Sequence, residues 1–357
     1  MHIRMCRSRS GDNVPANGDG RPAVVADLTR DASIGKRDFG LDTRSMEEFA
    51  HFLMETGWLE TMEADLASMN HEKLGRPFAF TDRAIQWANR LRIVFKTSYR
   101  LARGLMNHFL RGLGFPGISL TQFYDRCRRA SAVGGADGRV LASGPCDVDV
   151  SEAPISVAVD STGMSLNKYG GWRCHHWNLK SVTGWIKLHA AADTDTNRIL
   201  AYAVTDERCG DVNLLGPLVE DVISAGHKVG RILADAAYDK KDYWNEYAAR
   251  GIDVAINIRN SQLNKNVPDF PGRIRSHGCA ARGREMARIL KIGRDEWKKE
   301  KGYGRRWKVE CTFSDAKRLF GDILRSRTRQ ADVEETVAKV LLLNEYKGIR
   351  MRCQGSR

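Results

Sequence analysis

Two short apolar runs, each stopped by an aspartate, constrain this chain most. Residues 155–160, ISVAVD, alternate Ile155, Val157 and Val159 with Ser156, Ala158 and Asp160. That period of two is a strand with an acid at its end. Residues 231–235, RILAD, form a second apolar run ending in Asp235. A third carboxylate, Glu310, lies in residues 302–319, GYGRRWKVECTFSDAKRL. The three acids are each 75 residues from the next. Read as one helix, the last stretch puts Tyr303, Arg306, Glu310 and Lys317 at roughly 0°, 300°, 340° and 320° around its axis. A hydroxyl, a guanidinium, a carboxylate and an ammonium then share one stripe. Charges at such spacing usually mark a solvated face. Here two further acids stand at strand ends, where such a helix can meet them.

Three clustered carboxylates repel one another unless cations hold them. Hard oxygen ligands suit Mg²⁺ or Mn²⁺. Two such ions, roughly 3.5–4 Å apart, would activate an attacking oxygen and stabilise a leaving one at phosphorus. The expectation is that Asp160, Asp235 and Glu310 meet at one cation-binding point. Asp193 and Asp195 compete as ligands, but acids in a turn are ordinarily turn residues.

Charge points to a polyanionic partner. The chain has a formal charge of +13, and the excess is localised. Residues 272–330 hold 18 Lys/Arg against 7 Asp/Glu, residues 76–130 hold 11 against 2, and the remainder is net acidic. Two basic blocks suggest two nucleic-acid contacts. No apolar run approaches membrane-span length. The eight cysteines include no Cys-x-x-Cys pair. Cys174-His175-His176 and His277-Gly278-Cys279 resemble zinc half-sites, but adjacent strand residues face opposite ways. Scattered thiols fit a cytoplasmic protein.

Along the chain, residues 1–44 lack periodicity and read as disordered or as an extension. Residues 45–69 read as a helix opened by a Ser45/Glu48 capping box. Apolar residues at helical spacing and abundant arginines run through 81–130, with turns at 98–100 and 115–117. This resembles a helix-turn-helix module and makes 45–130 a helical DNA-binding region, with plain helical packing as the alternative. Residues 131–154, rich in glycine, read as a linker. After the first acid come a polar, aromatic and basic loop or hairpin at 161–184, strands at 183–192 and 198–205, and a helix at 211–225. The second acid, a helix at 239–250 and a strand at 252–258 follow. This order suits an α/β sheet with acids at strand ends, the ribonuclease-H-like arrangement. Residues 259–302 do not fit a compact βα unit and read as an insertion that touches nucleic acid. Trp297 within it is a stacking candidate, although a packing tryptophan is the commoner case. An apolar helix at 332–351 closes the chain, as a buttress for the Glu310 helix or a dimer contact.

Tyr303, Arg306, Glu310 and Lys317 reproduce, gap for gap, the Tyr-Arg-Glu-Lys signature of the DDE transposases of bacterial insertion sequences. VAVDSTG around Asp160, ILADAAYD around Asp235 and GYGRRWKVECTFSDAKRLFG resemble that family's catalytic blocks. GRPFAFTDRAIQ and SYR extend the likeness toward Gly75. The resemblance implies a ribonuclease-H-like catalytic domain over 155–351, with its insertion before the last acid. It implies cleavage at element ends and strand transfer into target DNA with Mg²⁺ or Mn²⁺ on Asp160, Asp235 and Glu310. Tyr303, Arg306 and Lys317 would grip phosphates near the cleaved end. Partners would be terminal inverted repeats, target DNA and a second copy in a synaptic dimer; location would be cytoplasmic, at the nucleoid when DNA is bound. The rivals are a ribonuclease-H-like nuclease without strand transfer and a non-catalytic DNA-binding remnant.

Overall fold

The computed structural model describes residues 42–129, 139–166, 184–259, 279–326 and 328–355. The expected extension before residue 42, the Cys174-His175-His176 stretch and residues 260–278 of the insertion lie outside them.

At the amino-terminal side, Asp42 rather than Ser45 caps α1 (Thr43–Met54), accepting from the Ser45 amide at 3.0 Å. The expected single helix over 45–69 is two, α1 and α2 (Met62–Asn70), joined by a 3₁₀ turn that buries Trp58. Three further helices follow: α3 (Asp82–Val94), α4 (Tyr99–Gly112) and α5 (Leu120–Arg129). Thr81 and Ser98 supply the N-cap oxygens of α3 and α4, as hydroxyls at that position do. The three helices pack on one another.

Seven strands make one sheet among the described residues. They are β1 (Val140–Pro145), β2 (Ile155–Leu166), β3 (Trp185–Asp193), β4 (Ile199–Asp206), β5 (Val229–Ala234), β6 (Asp253–Ile256) and β7 (Ile323–Leu324). Their spatial order is β1-β4-β3-β2-β5-β6. β2, β3 and β4 form an antiparallel meander. β5 then lies parallel to β2, and β6 parallel to β5. The stretch read as a linker thus carries β1, which closes the far edge by pairing antiparallel to β4. Its glycines did not prevent this, because the apolar residues Val140, Leu141 and Ala142 have β4 to pack beside.

β2 is longer than expected. β3 continues to pair with it as far as Ser165, so the strand does not stop at Asp160. On the opposite side β5 stops at the Val159–Ala234 pair, and β7 joins only at Ser165. Residues 160–164 of β2 therefore border a break in the sheet. Such breaks, where neighbouring strands diverge, are where α/β sheets place their sites.

Crossovers bury the sheet. α6 (Leu215–Ser224) links β4 to β5, and α7 (Lys241–Ala249) links β5 to β6. β4 is buried along almost its whole length, with α6 and the last helix, α11 (Arg329–Gly355), both packed on it. Asn344 of α11 acts as a strand partner for Ile199, accepting from its amide at 2.8 Å and donating to its carbonyl at 2.7 Å. α11 also packs on α1, α3 and α5, and on α10 (Trp307–Phe320), the helix bearing Glu310. The buttressing role expected of it is met. Part of the expected insertion is helical: α8 (Ala280–Ile292) and α9 (Arg294–Glu300). No helix of the described residues is long and apolar enough to cross a membrane.

Candidate functional site

Asp160 sits on β2 one residue beyond its last pair with β5, and Asp235 follows the last residue of β5. The two parallel strands therefore deliver both carboxylates to the same level of the break. Asp235 caps a 3₁₀ turn, Ala236–Tyr238, by accepting from the Ala237 amide at 2.8 Å. Asp160 accepts from its neighbour's amide, Ser161, at 2.8 Å.

Glu310 arrives from the other side. The stretch read as a single α-helix begins as a 3₁₀ turn, Tyr303–Arg306, entered through Gly302 in the left-handed region at φ 58°. α10 takes over at Trp307. A 3₁₀ turn has three residues per turn, so Tyr303 and Arg306 eclipse rather than stagger. The Arg306 guanidinium lies 6.0 Å from the centre of the Tyr303 ring. From there it reaches both sides of the cleft: Nη1 donates to Asp160 Oδ2 at 3.1 Å, and Nη2 to Glu310 Oε1 at 2.5 Å.

Arg306 thus takes the place expected for a metal ion between Asp160 and Glu310. The expected convergence of three acids at one point is not what is observed. Among the described residues no three of His, Cys, Asp or Glu are grouped closely enough to hold a metal. The physical reason is the repulsion that makes bare carboxylates seek a cation, here an internal guanidinium. The donor chemistry still fits a hard divalent ion. Burial pushes the Asp160 carboxyl above its ordinary range; the Ser161 amide and Arg306 pull it down, and Asp235 and Glu310 push it up again. Asp160 therefore feels both other acids across the cleft.

Tyr303 is placed to hold the cleft together. It is buried, and its hydroxyl donates to the carbonyl of Ala234, the residue before Asp235, at 3.0 Å. Burial above all pushes that hydroxyl up to about 12, so it stays protonated and donating. Lys317 lies two turns beyond Glu310, half-buried beside Thr162 and Met164. Of the acids in the β3–β4 turn, Asp193 accepts from the amides of Asp195 and Thr196, both at 3.1 Å, and so is a turn residue. Asp195 pairs with Arg305. Trp297 is fully buried and donates to Glu285 at 2.7 Å; it packs rather than stacks.

One polar cluster was missed by sequence reasoning. His189 on β3 pairs across the sheet with Ser161, the residue after Asp160. Its Nε2 lies 2.9 Å from the Thr205 hydroxyl and its Nδ1 3.7 Å from Asp211. Lys187 donates to Asp211 at 2.9 Å. Burial pushes the His189 imidazole down to about 4, with Asp211 opposing. It is therefore neutral near pH 7. Tyr238 is buried nearby, its hydroxyl pushed up by burial and then by Asp211, Asp160 and Asp235. The available signal was the alternation of Lys187 and His189, which sets both on one face of a strand.

The basic block of the helical region is partly internal. Arg92 is buried against Glu335 of α11 at 2.9 Å. Arg126 bonds Asp82 at 2.5 Å and the Phe80 carbonyl at 2.6 Å. Arg83 and Arg100 remain exposed.

A solved structure similar to this chain is the Drosophila P element transposase strand transfer complex. It is 14% identical, with a TM-score of 0.30 over 85% of this chain and 71% of that one, a slight likeness. The family model described as "Transposase DDE domain" matches residues 153–344. That span is more than half of the chain and runs from the start of β2 into α11, taking in the break, its two aspartates and the helix of Glu310. The chain therefore belongs to the transposase DDE domain family.

Proposed function

We propose that this chain cuts DNA at the ends of a mobile element and joins the freed ends to a target, with Asp160, Asp235 and Glu310 as the catalytic acids. One observation carries the reading most: two parallel strands and a helix from distant parts of the sequence direct three carboxylates toward one break in the sheet. The strand order, a three-stranded antiparallel meander followed by two parallel strands, supports a ribonuclease-H-like catalytic domain.

Asp160, Asp235 and Glu310 would hold Mg²⁺ or Mn²⁺, which would supply Lewis-acid stabilisation of the attacking and leaving oxygens. The rest is done by the chain. The cleft fixes a phosphodiester so that a water oxygen attacks phosphorus in line and a 3′-hydroxyl leaves. That hydroxyl then attacks a target phosphodiester in the same geometry, forming the joining P–O bond as the target strand's own 3′-oxygen leaves and takes up the proton. Positioning and charge stabilisation suffice, and no covalent enzyme intermediate is needed. Tyr303 keeps the 3₁₀ turn against the end of β5. Arg306 neutralises Asp160 and Glu310 while the cleft is empty, and turns to a DNA phosphate when one enters. Lys317 and the exposed arginines of the helical region, such as Arg83 and Arg100, extend the contact along DNA. The acting form is a dimer that pairs two inverted repeats.

The experiment is incubation of the purified chain in Mg²⁺ with DNA carrying its element ends, then with pre-cut ends and a target plasmid. Nicks ending in 3′-hydroxyls and joined products are expected. Cuts without joining would leave a nuclease, and neither would leave a DNA-binding remnant.

Arg306→Ala separates the two tasks of that guanidinium. Without it, Asp160 and Glu310 have no internal counter-charge, so Mn²⁺ should bind more tightly by calorimetry. DNA affinity should fall, and the slope of log K against log salt should shrink by about one. Unchanged Mn²⁺ affinity would show that Arg306 does not compete for the cation position.

A further inference from the structure

The connection between α2 and α3 carries a tip that the cleft does not use. Residues 74–77, LGRP, stand at its apex. Leu74 is 95% exposed, more than any other large apolar residue described. The loop beneath it is braced. Asn70, the last residue of α2, accepts from the Phe78 amide at 2.6 Å and donates to the Phe78 carbonyl at 3.0 Å, closing the base of the loop. The Lys73 ammonium donates to the carbonyls of Leu74 at 3.4 Å and Arg76 at 2.5 Å. The Arg126 guanidinium of α5 lies 4.9 Å from the Phe78 ring centre and ties the base to the helical region. Gly75 turns the chain at φ 87°, and nothing lies within 4 Å of the point where a side chain would begin. The apex is therefore narrow, with a leucine and an arginine on either side of a residue that has no side chain. Arg76 precedes a proline, which biases it toward extended backbone. It is exposed and, among the described residues, has no carboxylate partner. Arg83, by contrast, lies 3.7 Å from Asp65. The one acid of the tip, Glu72, stands 4.0 Å from His71.

We propose that this tip enters the minor groove of duplex DNA, with Arg76 on the groove floor at an A·T-rich stretch and Leu74 wedged against a base step. This rests on the reading of the chain as one that acts on DNA, and adds a contact outside the cleft. The minor groove is about 6 Å wide. It excludes a helix but admits an extended segment thinned by a glycine. A narrow A·T tract concentrates negative potential and draws in an arginine that has no competing carboxylate. A phosphate contact would use that cation but leave the leucine in water. Against a partly unstacked base step the leucine also gains, and the duplex kinks. The braces from Asn70 and Lys73 hold the apex in shape before binding, so little ordering cost is left to meet on contact. The excess of positive charge over residues 76–130 brings the tip toward DNA.

The test compares short duplexes by fluorescence anisotropy without divalent metal. One has a central A·T tract, one has G·C pairs in its place, and one has inosine·C pairs there. Inosine·C shows the G·C pattern in the major groove but lacks the amino group that G·C sets in the minor groove. The wild-type chain should bind the A·T and inosine·C duplexes alike, and the G·C duplex about 5- to 100-fold more weakly, the range expected of a misread base pair. Arg76→Ala should lower affinity for the first two to that for G·C. Energy transfer between dyes on the duplex ends should report a bend of about 20–90° with the wild type. Leu74→Ala should straighten the duplex and keep the A·T preference. Both side chains are exposed, so neither replacement disturbs the core. Wild-type binding that treats inosine·C like G·C, or a preference retained by Arg76→Ala, overturns the proposal even in a chain that cuts and joins DNA. Equal bending by the wild type and Leu74→Ala overturns the wedge. Conversely, a preference that needs Arg76, in a chain that makes no cuts in Mg²⁺, supports the tip and overturns the reading of the cleft.

Discussion

Asp160→Asn is expected to reduce strand cleavage in Mg²⁺ by about 10²–10³-fold or more, the loss usual when one preorganised charge contact with a transition state is removed. DNA affinity should hardly change. Asp160 earns this prediction by position. It borders the break in the sheet, accepts from Ser161, is bridged to Glu310 by Arg306, and feels the charges of Asp235 and Glu310. Asn preserves the shape and removes the charge. Glu310→Gln should match it, because the two acids share one guanidinium and act as a unit; the double variant should then be little worse than either alone. The measurement is the single-turnover cleavage rate on a pre-bound end. A Glu310→Gln protein cutting at close to the wild-type rate would remove Glu310 from the catalytic set.

Glu335→Ala is expected to lower folding stability by about 3–5 kcal/mol, the cost of leaving a buried charge without its partner. Glu335 is 3% exposed and Arg92 1%, with 2.9 Å between their charged atoms. The same carboxylate accepts from Ser326 at 3.0 Å and from the Arg325 amide at 3.1 Å. Removing it strands Arg92, which is left with its Nε bond to Asn89 at 2.8 Å. Replacing both partners by apolar residues, as in Arg92→Met with Glu335→Leu, should cost far less, because no charge then remains buried. Urea unfolding of the three variants makes the comparison. Burial pushes the Glu335 carboxyl up, but Arg92 and Lys339 outweigh it and hold the group below its ordinary 4.5. Its contribution is therefore full above that ordinary value and is lost as pH falls through the lowered folded value. Wild-type stability should fall on acidification through that window, and the double apolar variant should lack this component. A Glu335→Ala protein within about 1 kcal/mol of wild type would show that the helical region does not depend on this pair.

The pair also shows why the arginines of residues 76–130 were harder to read than their number suggested. A count of charges cannot separate a guanidinium facing DNA from one facing a carboxylate 243 residues away. Arg92 and Arg126 are of the second kind. Their partners come from a distant helix and from the far end of the helical region.

Local pattern alone determined the central strands, the crossover helices and the three acidic blocks, because alternation, capping and apolar spacing act over a few residues; β1 and β7, short and without such a pattern, were decided by their partners β4 and β2. The alternation before Asp160, the apolar run before Asp235 and the gaps from Tyr303 to Lys317 are all visible in one dimension. Tertiary structure decided the rest. It prolonged β2 past Asp160, because β3 offered hydrogen bonds beyond the point where β5 ended. It wound the Tyr303 turn as 3₁₀ and so stacked Arg306 over the ring. It set that guanidinium between two acids 150 residues apart in sequence. It also buried Trp297, left Trp307 in water, and gathered His189, Lys187 and Asp211 behind the cleft. Each of these depends on which partner is nearest across space, and nearness across a sheet or between helices is set by packing rather than by spacing along the chain.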